Sequence, residues 1–220
     1  MKVVAVDGPG GAGKSSVSRA LAARLGWSHL DTGAFYRAAT LAVLRAGIDP
    51  EDGAAVSELV EQLKFRQDRG SMFLDSEDVS DEIRSKDVTA AVSVVSAHRD
   101  VRRTLVRHQR QWVAAHSESV VVEGRDIGSV VFPDADLKIW LMASLAERAR
   151  RRAAETGEAV AAVAADLARR DQADSKREAS PQKPAPDAVW VDTTNLAIDF
   201  VVERIVAMIE QPGEVLPHPG

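Results

Sequence analysis

No cysteine occurs among the 220 residues. Disulfides and thiolate metal sites are therefore excluded. Long apolar runs are lacking too. The longest, Ala159 to Ala165, falls far short of the roughly 20 residues of a membrane-spanning helix. The first apolar stretch, Val3 to Val6, ends at Asp7, which is no pattern for a secretory signal peptide. Positive charge is not in excess: 28 Lys and Arg stand against 33 Asp and Glu, a net charge of −5. That balance gives no general attraction to nucleic acid or to an anionic membrane. The histidines, at 29, 98, 108, 116 and 218, show no paired metal-ligand spacing. The single asparagine, Asn195, is followed by leucine, so the guanine-reading N-K-x-D pattern is absent. What remains is a cytoplasmic soluble globule with 45% hydrophobic and 28% charged residues. It is long enough for one domain with a real core.

Against these absences one motif stands out. Gly8-Pro9-Gly10-Gly11-Ala12-Gly13-Lys14-Ser15 reads as G-x-x-x-x-G-K-[ST], the phosphate-binding P-loop. Val3 to Val6 before it suits a buried strand, and Val17, Leu21 and Leu25 after it lie on one helix face. Glycines let successive backbone N–H groups face an anion, and the helix N-terminus adds positive potential. Gly8 to Ser15, with Ser16, form the candidate triphosphate cradle. Lys14 is placed to reach the β- and γ-phosphates, and Ser15 is the candidate Mg²⁺ ligand.

Further along, Trp27 to Asp31, Ser119 to Val122, Leu137 to Leu141 and Ala188 to Asp192 read as four more short strands. Helical patterns separate them. This alternation predicts a three-layer α/β fold with a five-stranded parallel sheet. Asp49 is the expected N-cap of one helix, with Pro50 in its first position. The stretch from about Asp87 to His116 reads as helical and is rich in arginine. Ser144 and Glu147 form a capping box, and the second helix after it is expected to end near Arg170. Thr193-Thr194-Asn195 is expected to cap the last helix. Trp140 and Trp190 are assigned to the core. Two regions fall outside the core scheme: 63–85, a hairpin followed by a polar surface insertion, and the arginine-rich 144–178. Ionisable residues after a β-branched run, Glu123 to Asp126, are placed at the carboxyl edge of the sheet. Arg37, Arg125, Arg170 and Arg177 fall in segments able to converge on one cleft, where arginine forks suit phosphate.

The chain resembles the bacterial cytidylate kinases, nucleoside monophosphate kinases of the P-loop class. The likeness runs from Val3 to Thr194. It rests on the P-loop with Asp7, on Leu30-Asp31-Thr32-Gly33-Ala34-Phe35-Tyr36-Arg37 and on Glu77 to Arg84. It continues in Val122 to Pro133, and in Arg170-Asp171 with Asp174-Ser175-Lys176-Arg177. The resemblance implies transfer of the ATP γ-phosphoryl group to CMP or dCMP with Mg²⁺. It further implies a single kinase domain over 1–220, with a monophosphate-binding insert at 63–85 and a lid at 144–178. Thr32, Tyr36 and Arg37 match positions that hold the acceptor nucleotide, and Arg37, Arg125 and Arg177 match those that grip its phosphate. Ser93, Arg102 and Asp126 match the cytosine-reading positions, and Arg170 and Asp174 those near the sugar. Lys14, Arg125, Arg170 and Arg177 are then the catalytic set.

An ionised Asp126 only accepts hydrogen bonds, so it suits the cytosine amino group or orients Arg102. A uracil offers an acceptor there, a mismatch that costs on the order of 10⁴ in a site built for hydrogen bonding. Gln182 stands where leucine is expected, and no acid occupies the usual Walker B place, leaving Asp7 or Glu123 to support the ion indirectly. Two other readings use the same residues. A kinase of another small acceptor, such as UMP, would differ at Ser93, Arg102 and Asp126. A non-catalytic nucleotide switch is opposed by the arginine set and the missing guanine motif. A monomer acting on small nucleotides is the default.

Overall fold

A computed structural model describes residues 1–176 and 182–211. A five-stranded sheet organises them, with strands β1 (Val3–Asp7), β2 (Ser28–Asp31), β6 (Val120–Glu123), β7 (Leu137–Met142) and β8 (Val189–Asp192). All pairs are parallel, in the order β2-β6-β1-β7-β8. Side chains alternate across a strand, and the burial follows. Ala5, Leu30, Val120 and Val122 join one core, while Val4, Val6, Val121, Ile139 and Leu141 join another. Both faces are therefore apolar at the centre of the sheet, which is why β1 and β6 read as near-continuous valine runs.

One face is covered by α1 (Lys14–Leu25) and α8 (Ile198–Glu210), through Leu21, Val202 and Ile205. The other carries α2 (Thr32–Arg45), α3 (Gly53–Gln62), α4 (Lys86–Val95) and α5 (Arg99–Ala114), through Phe35, Val56, Val88 and Leu105. The predicted three-layer α/β architecture is what the chain adopts. Beside the second face lies a small antiparallel sheet of β3 (Phe65–Asp68), β4 (Ser71–Leu74) and β5 (Glu77–Asp78). The expected hairpin forms, turning through Arg69 (φ 47°) and Gly70 (φ 87°). Helices α6 (Leu145–Thr156) and α7 (Val160–Lys176) pair through their own core of Ala149, Ala153, Val163 and Leu167.

Several local expectations need correction. The segment after the hairpin is not simply surface: Val79 and Ile83 are each 1% exposed and join the core. Their polar neighbours masked a two-residue anchor. Helix α3 starts at Gly53 with Asp52 as N-cap, its carboxylate accepting from Ala55 N at 3.1 Å. Asp49 is diverted into a local turn, accepting from Glu51 N at 3.0 Å, the usual competition between Asp side chains and helix. The helical stretch 87–116 is two helices, broken at Ser96–His98, where His98 Nε2 meets the Pro50 carbonyl at 2.7 Å. Helix α7 runs beyond Arg170 to Lys176. Ser144 caps α6 as expected, accepting from Glu147 N at 3.2 Å. Helix α8 begins after Ala197 without a side-chain cap. The Thr193 hydroxyl is engaged instead with the Ala12 carbonyl at 3.1 Å, and Asn195 is left-handed (φ 60°). Trp190 is 55% exposed on the edge strand β8, whereas Trp140 is buried.

Candidate active site

The loop Gly8–Gly13 leaves the central strand β1 and enters α1 at Lys14. Gly8 has φ 150°, and a Cβ there would lie 2.1 Å from the Leu141 carbonyl oxygen, so only glycine fits. Gly13 is the left-handed N-cap of α1 (φ 85°) and carries no side chain to fill the anion-binding end of that helix. Lys14 Nζ folds back to donate to the Pro9 carbonyl at 2.9 Å. Burial, then repulsion from Arg125, brings its ammonium down to about 7.

A cleft of about 920 Å³ opens over this loop, in the size range of small-molecule sites. Gly10 to Ser16 line it, and so do Thr32, Tyr36, Arg37, Ser93, Arg102, Arg125, Asp126, Arg170 and Asp174. Among the predicted site residues, Gly8 and Pro9 do not line it, and Arg177 lies outside the described residues. The side chains come from β2–α2, α4, α5, the loop after β6, and α7. The P-loop, α2 and the loop after β6 stand at the carboxyl ends of parallel strands, α4 and α5 belong to the second helical face, and of these side chains only Arg170 and Asp174 come from the 144–178 region.

At the base of the cleft, Arg102 and Asp126 form a buried pair, Nη2 to Oδ2 at 2.5 Å. Arg102 Nη1 also donates to the Ser96 carbonyl at 3.2 Å, and its guanidinium carbon lies 5.1 Å from the Tyr36 ring centre. Arg37 donates to the Ile83 carbonyl at 3.1 Å and to Thr89 Oγ1 at 3.0 Å. That first bond ties the inserted segment to the site, while the Ile83 side chain packs into the core. Burial, then Arg170, lowers the Arg37 guanidinium to about 10. Arg170 is lowered as well, by burial and then by Arg125. Lys14, Arg37 and Arg170 thus crowd positive charge into a partly dry cleft, a cost that an anionic ligand removes.

Arg125 is engaged on the far side, with Asp174 Oδ2 at 3.0 Å and Gln182 Oε1 at 3.1 Å. Arg148, given no site role from sequence, bridges Asp171 Oδ2 at 2.6 Å and the Gly10 carbonyl at 2.9 Å. It therefore fastens α6 and α7 to the P-loop. Only its place among four arginines of one helix could have drawn notice, and spacing did not single it out. Of the two acids left open behind the ion, Asp7 is committed elsewhere. Its oxygens accept from Ile127 N and Gly128 N, both at 2.8 Å. Glu123 Oε2 instead accepts from Ser15 Oγ at 2.8 Å.

Comparison with known proteins agrees with this geometry. The family model described as cytidylate kinase matches residues 4–211. A protein of Nocardia farcinica named cytidylate kinase is 52% identical over 218 residues, covering 95% of this chain and 94% of its own. One of Mycobacterium leprae with the same name is 52% identical over 214 residues, covering 95% and 96%. A bifunctional pantoate ligase/cytidylate kinase of Parasynechococcus marenigrum is 46% identical over 99% of this chain but only 46% of its own. Among solved structures, a sugar kinase from Janibacter sp. HTCC2649 superposes with a TM-score of 0.51 at 13% identity, covering 96% of this chain and 95% of that one. At that identity the likeness speaks for the fold alone.

Proposed function

Because the chain belongs to the cytidylate kinase family, we propose that its cleft transfers the γ-phosphoryl group of ATP to CMP or dCMP, with the residue roles that follow. The observation that carries this is a single cleft lined both by the P-loop and by the buried Arg102–Asp126 pair. The loop amides and Lys14 hold the donor phosphates. Arg102, Asp126 and Ser93 read the acceptor base, and Thr32 and Tyr36 flank the nucleoside. Arg37, Arg125 and Arg177 take the acceptor phosphate, while Arg170 and Asp174 face the sugar. Bringing two polyanions together is the main barrier. The arginines and Lys14 lower it by neutralising charge and fixing an in-line geometry, with little covalent work left to the protein.

Mg²⁺ fits the donor set. Ser15 offers a hydroxyl and Glu123 a carboxylate, hard oxygens that suit this ion. No group of three or more acidic, His or Cys residues able to hold a metal occurs among the described residues. Ser15 with Glu123 behind it would therefore hold the ion together with phosphates and water. When bound, the ion would supply charge neutralisation for the donor phosphates.

The segment 63–85 serves as the acceptor-side insert and 144–178 as the lid. The Arg37 contact to Ile83 and the Arg148 contact to Gly10 support these assignments. No helix among the described residues is long and apolar enough to cross a membrane. We read the protein as a cytoplasmic monomer working on dissolved nucleotides, not on nucleic acid.

The test is ADP release from Mg-ATP with CMP, dCMP, UMP, AMP or GMP as acceptor. Fast turnover with CMP and dCMP alone supports the whole reading. Equal rates with UMP would remove the base-reading roles of Ser93, Arg102 and Asp126. Acceptor-independent hydrolysis would remove the kinase assignment.

A further inference from the structure

Beneath the P-loop, Glu123 is gripped at both ends of its residue. Its carbonyl accepts the Thr32 hydroxyl at 2.7 Å. Its carboxylate is divided between two partners: Oε2 takes the Ser15 hydroxyl at 2.8 Å, and Oε1 lies 3.0 Å from Nε2 of His29. Glu123 is 3% exposed, and the His29 side chain 12%. A carboxylate at the end of a glutamate turns easily about its last torsion. Pinning one oxygen therefore decides where the other points.

We propose that His29 is a positioning residue for phosphoryl transfer. Its Nε2 proton, donated to Glu123 Oε1, locks the carboxylate so that Oε2 faces Ser15 and the ion carried there. The inference rests on the kinase reading and on the Mg²⁺ assignment given above.

The ring is well fixed for such a task. Gln67, from β3, donates Nε2 to the His29 carbonyl at 2.8 Å and accepts the Asp31 N–H at its Oε1 at 3.0 Å. One side-chain amide thus clamps the outer edge of β2 on both sides of Leu30, and the imidazole leaves that backbone at one angle. Gln67 is itself 5% exposed, and its carbonyl accepts Trp112 Nε1 at 2.8 Å. The alternatives are occupied. Asp7 is spent on Ile127 and Gly128, and Asp31 Oδ1 caps α2 through Ala34 N at 3.2 Å. Asp31 also sits close enough to Glu123 that burial first, and the Glu123 charge next, raise its carboxyl. The donor at Oε1 leaves Oε2 as the oxygen that meets Ser15. Partners that orient a metal's supporting groups typically matter by about 10–100-fold in metal affinity or activity.

The test compares the wild type with His29→Phe and His29→Gln, the latter able to place an amide N–H where Nε2 stood. Two quantities are read: steady-state kinetics, and the affinity of Mn²⁺ for the enzyme with a non-hydrolysable ATP analogue, by electron paramagnetic resonance. In His29→Phe, the Mn²⁺ affinity and kcat are each expected to fall about 10-fold, with the KM for CMP changed less than about 2-fold. His29→Gln is expected to recover most of both. Wild-type Mn²⁺ affinity in a folded His29→Phe protein overturns the proposal. So does a loss in His29→Phe that His29→Gln leaves unrepaired. If His29→Phe melts below the assay temperature, His29→Gln decides: wild-type affinity upholds the role, and a 10-fold loss in the folded protein ends it. A wild type that binds Mn²⁺ with the analogue yet shows no CMP-dependent turnover would sink the kinase reading, while the Mn²⁺ comparison still judges His29.

Discussion

Removing the Asp126 carboxylate should damage the protein twice, once in stability and once in selectivity. Arg102 and Asp126 are 4% and 3% exposed, and their 2.5 Å contact is charge-assisted. Breaking a buried pair from one side leaves a desolvated charge and costs about 3–5 kcal/mol. Arg102 keeps the Ser96 carbonyl and the Tyr36 ring face, so Asp126→Ala belongs at the lower end, about 3 kcal/mol. For a chain of this size each kcal/mol moves Tm by about 2–4 °C, giving a fall of about 6–12 °C. Lost activity in that variant alone would therefore be ambiguous. The double change Arg102→Met with Asp126→Leu removes both charges and is expected to melt within about 1 kcal/mol of the wild type. Its preference for CMP over UMP, measured as the ratio of kcat/KM values, should nevertheless drop by at least about 100-fold. Thermal melts and the ADP-release assay are run on the wild type and on both variants. Refutation comes either from an Asp126→Ala protein as stable as the wild type, or from a folded double variant that still prefers CMP.

Three further outcomes follow from single groups or segments. Burial pushes the Asp7 carboxyl up to about 6 from its usual 3.8, against the two backbone N–H groups of Gly128 and Ile127 that hold it down. The folded form then takes up a proton between roughly pH 4 and 6 that the unfolded form does not, so this group's contribution to stability falls by up to about 3 kcal/mol as pH rises through that window. The amide shifts of Ile127 and Gly128 should titrate with a midpoint near 6, and flat shifts between about pH 5 and 7 would contradict the assignment. Gln109 is fully buried, and neither its Oε1 nor its Nε2 has a hydrogen-bond partner among the described residues, so Gln109→Met is expected to stabilise by about 1–2 kcal/mol, and a lower Tm would disprove it. For the lid assignment, amides in 144–176 should exchange more slowly with ATP analogue and CMP together than with either alone, and identical exchange in all states would dismiss closure.

Much of the cleft was legible because its parts obey local rules. The P-loop needs left-handed glycines and an adjoining strand and helix, all visible between Val3 and Leu25. The central strands β1 and β6 are buried on both faces, so even a four-residue stretch such as Val120–Glu123 announced itself. Tertiary exchanges were not legible. Asp49 and Asp52 are equally good caps by type, and a turn within Asp49–Glu51 decided between them. Val79 and Ile83 are buried in a polar segment because Arg37 and the small sheet draw it inward. Trp190 is outward-facing because β8 is an edge strand, which composition does not reveal. The joining of Gln67 to β2, of Arg148 to Gly10, and of His29 to Glu123 spans 38, 138 and 94 positions along the chain. No periodicity records such distances.

The strand order also sets a timetable. β1 and β2 are made first, yet they never touch, because β6 lies between them, with Val120 opposite both Val3 and Ser28. Until β6 emerges, β2 has no strand neighbour and β1 lacks the one they share, so both wait unpaired while residues 32–119 are added. At roughly 5–20 residues per second that interval lasts on the order of 5–20 s. Helices α2 to α5 and the small antiparallel sheet, by contrast, are built from one contiguous stretch and have this time to assemble locally. The nucleotide loop hangs on β1 and so waits on β6 and β7 for the neighbours that fix its strand.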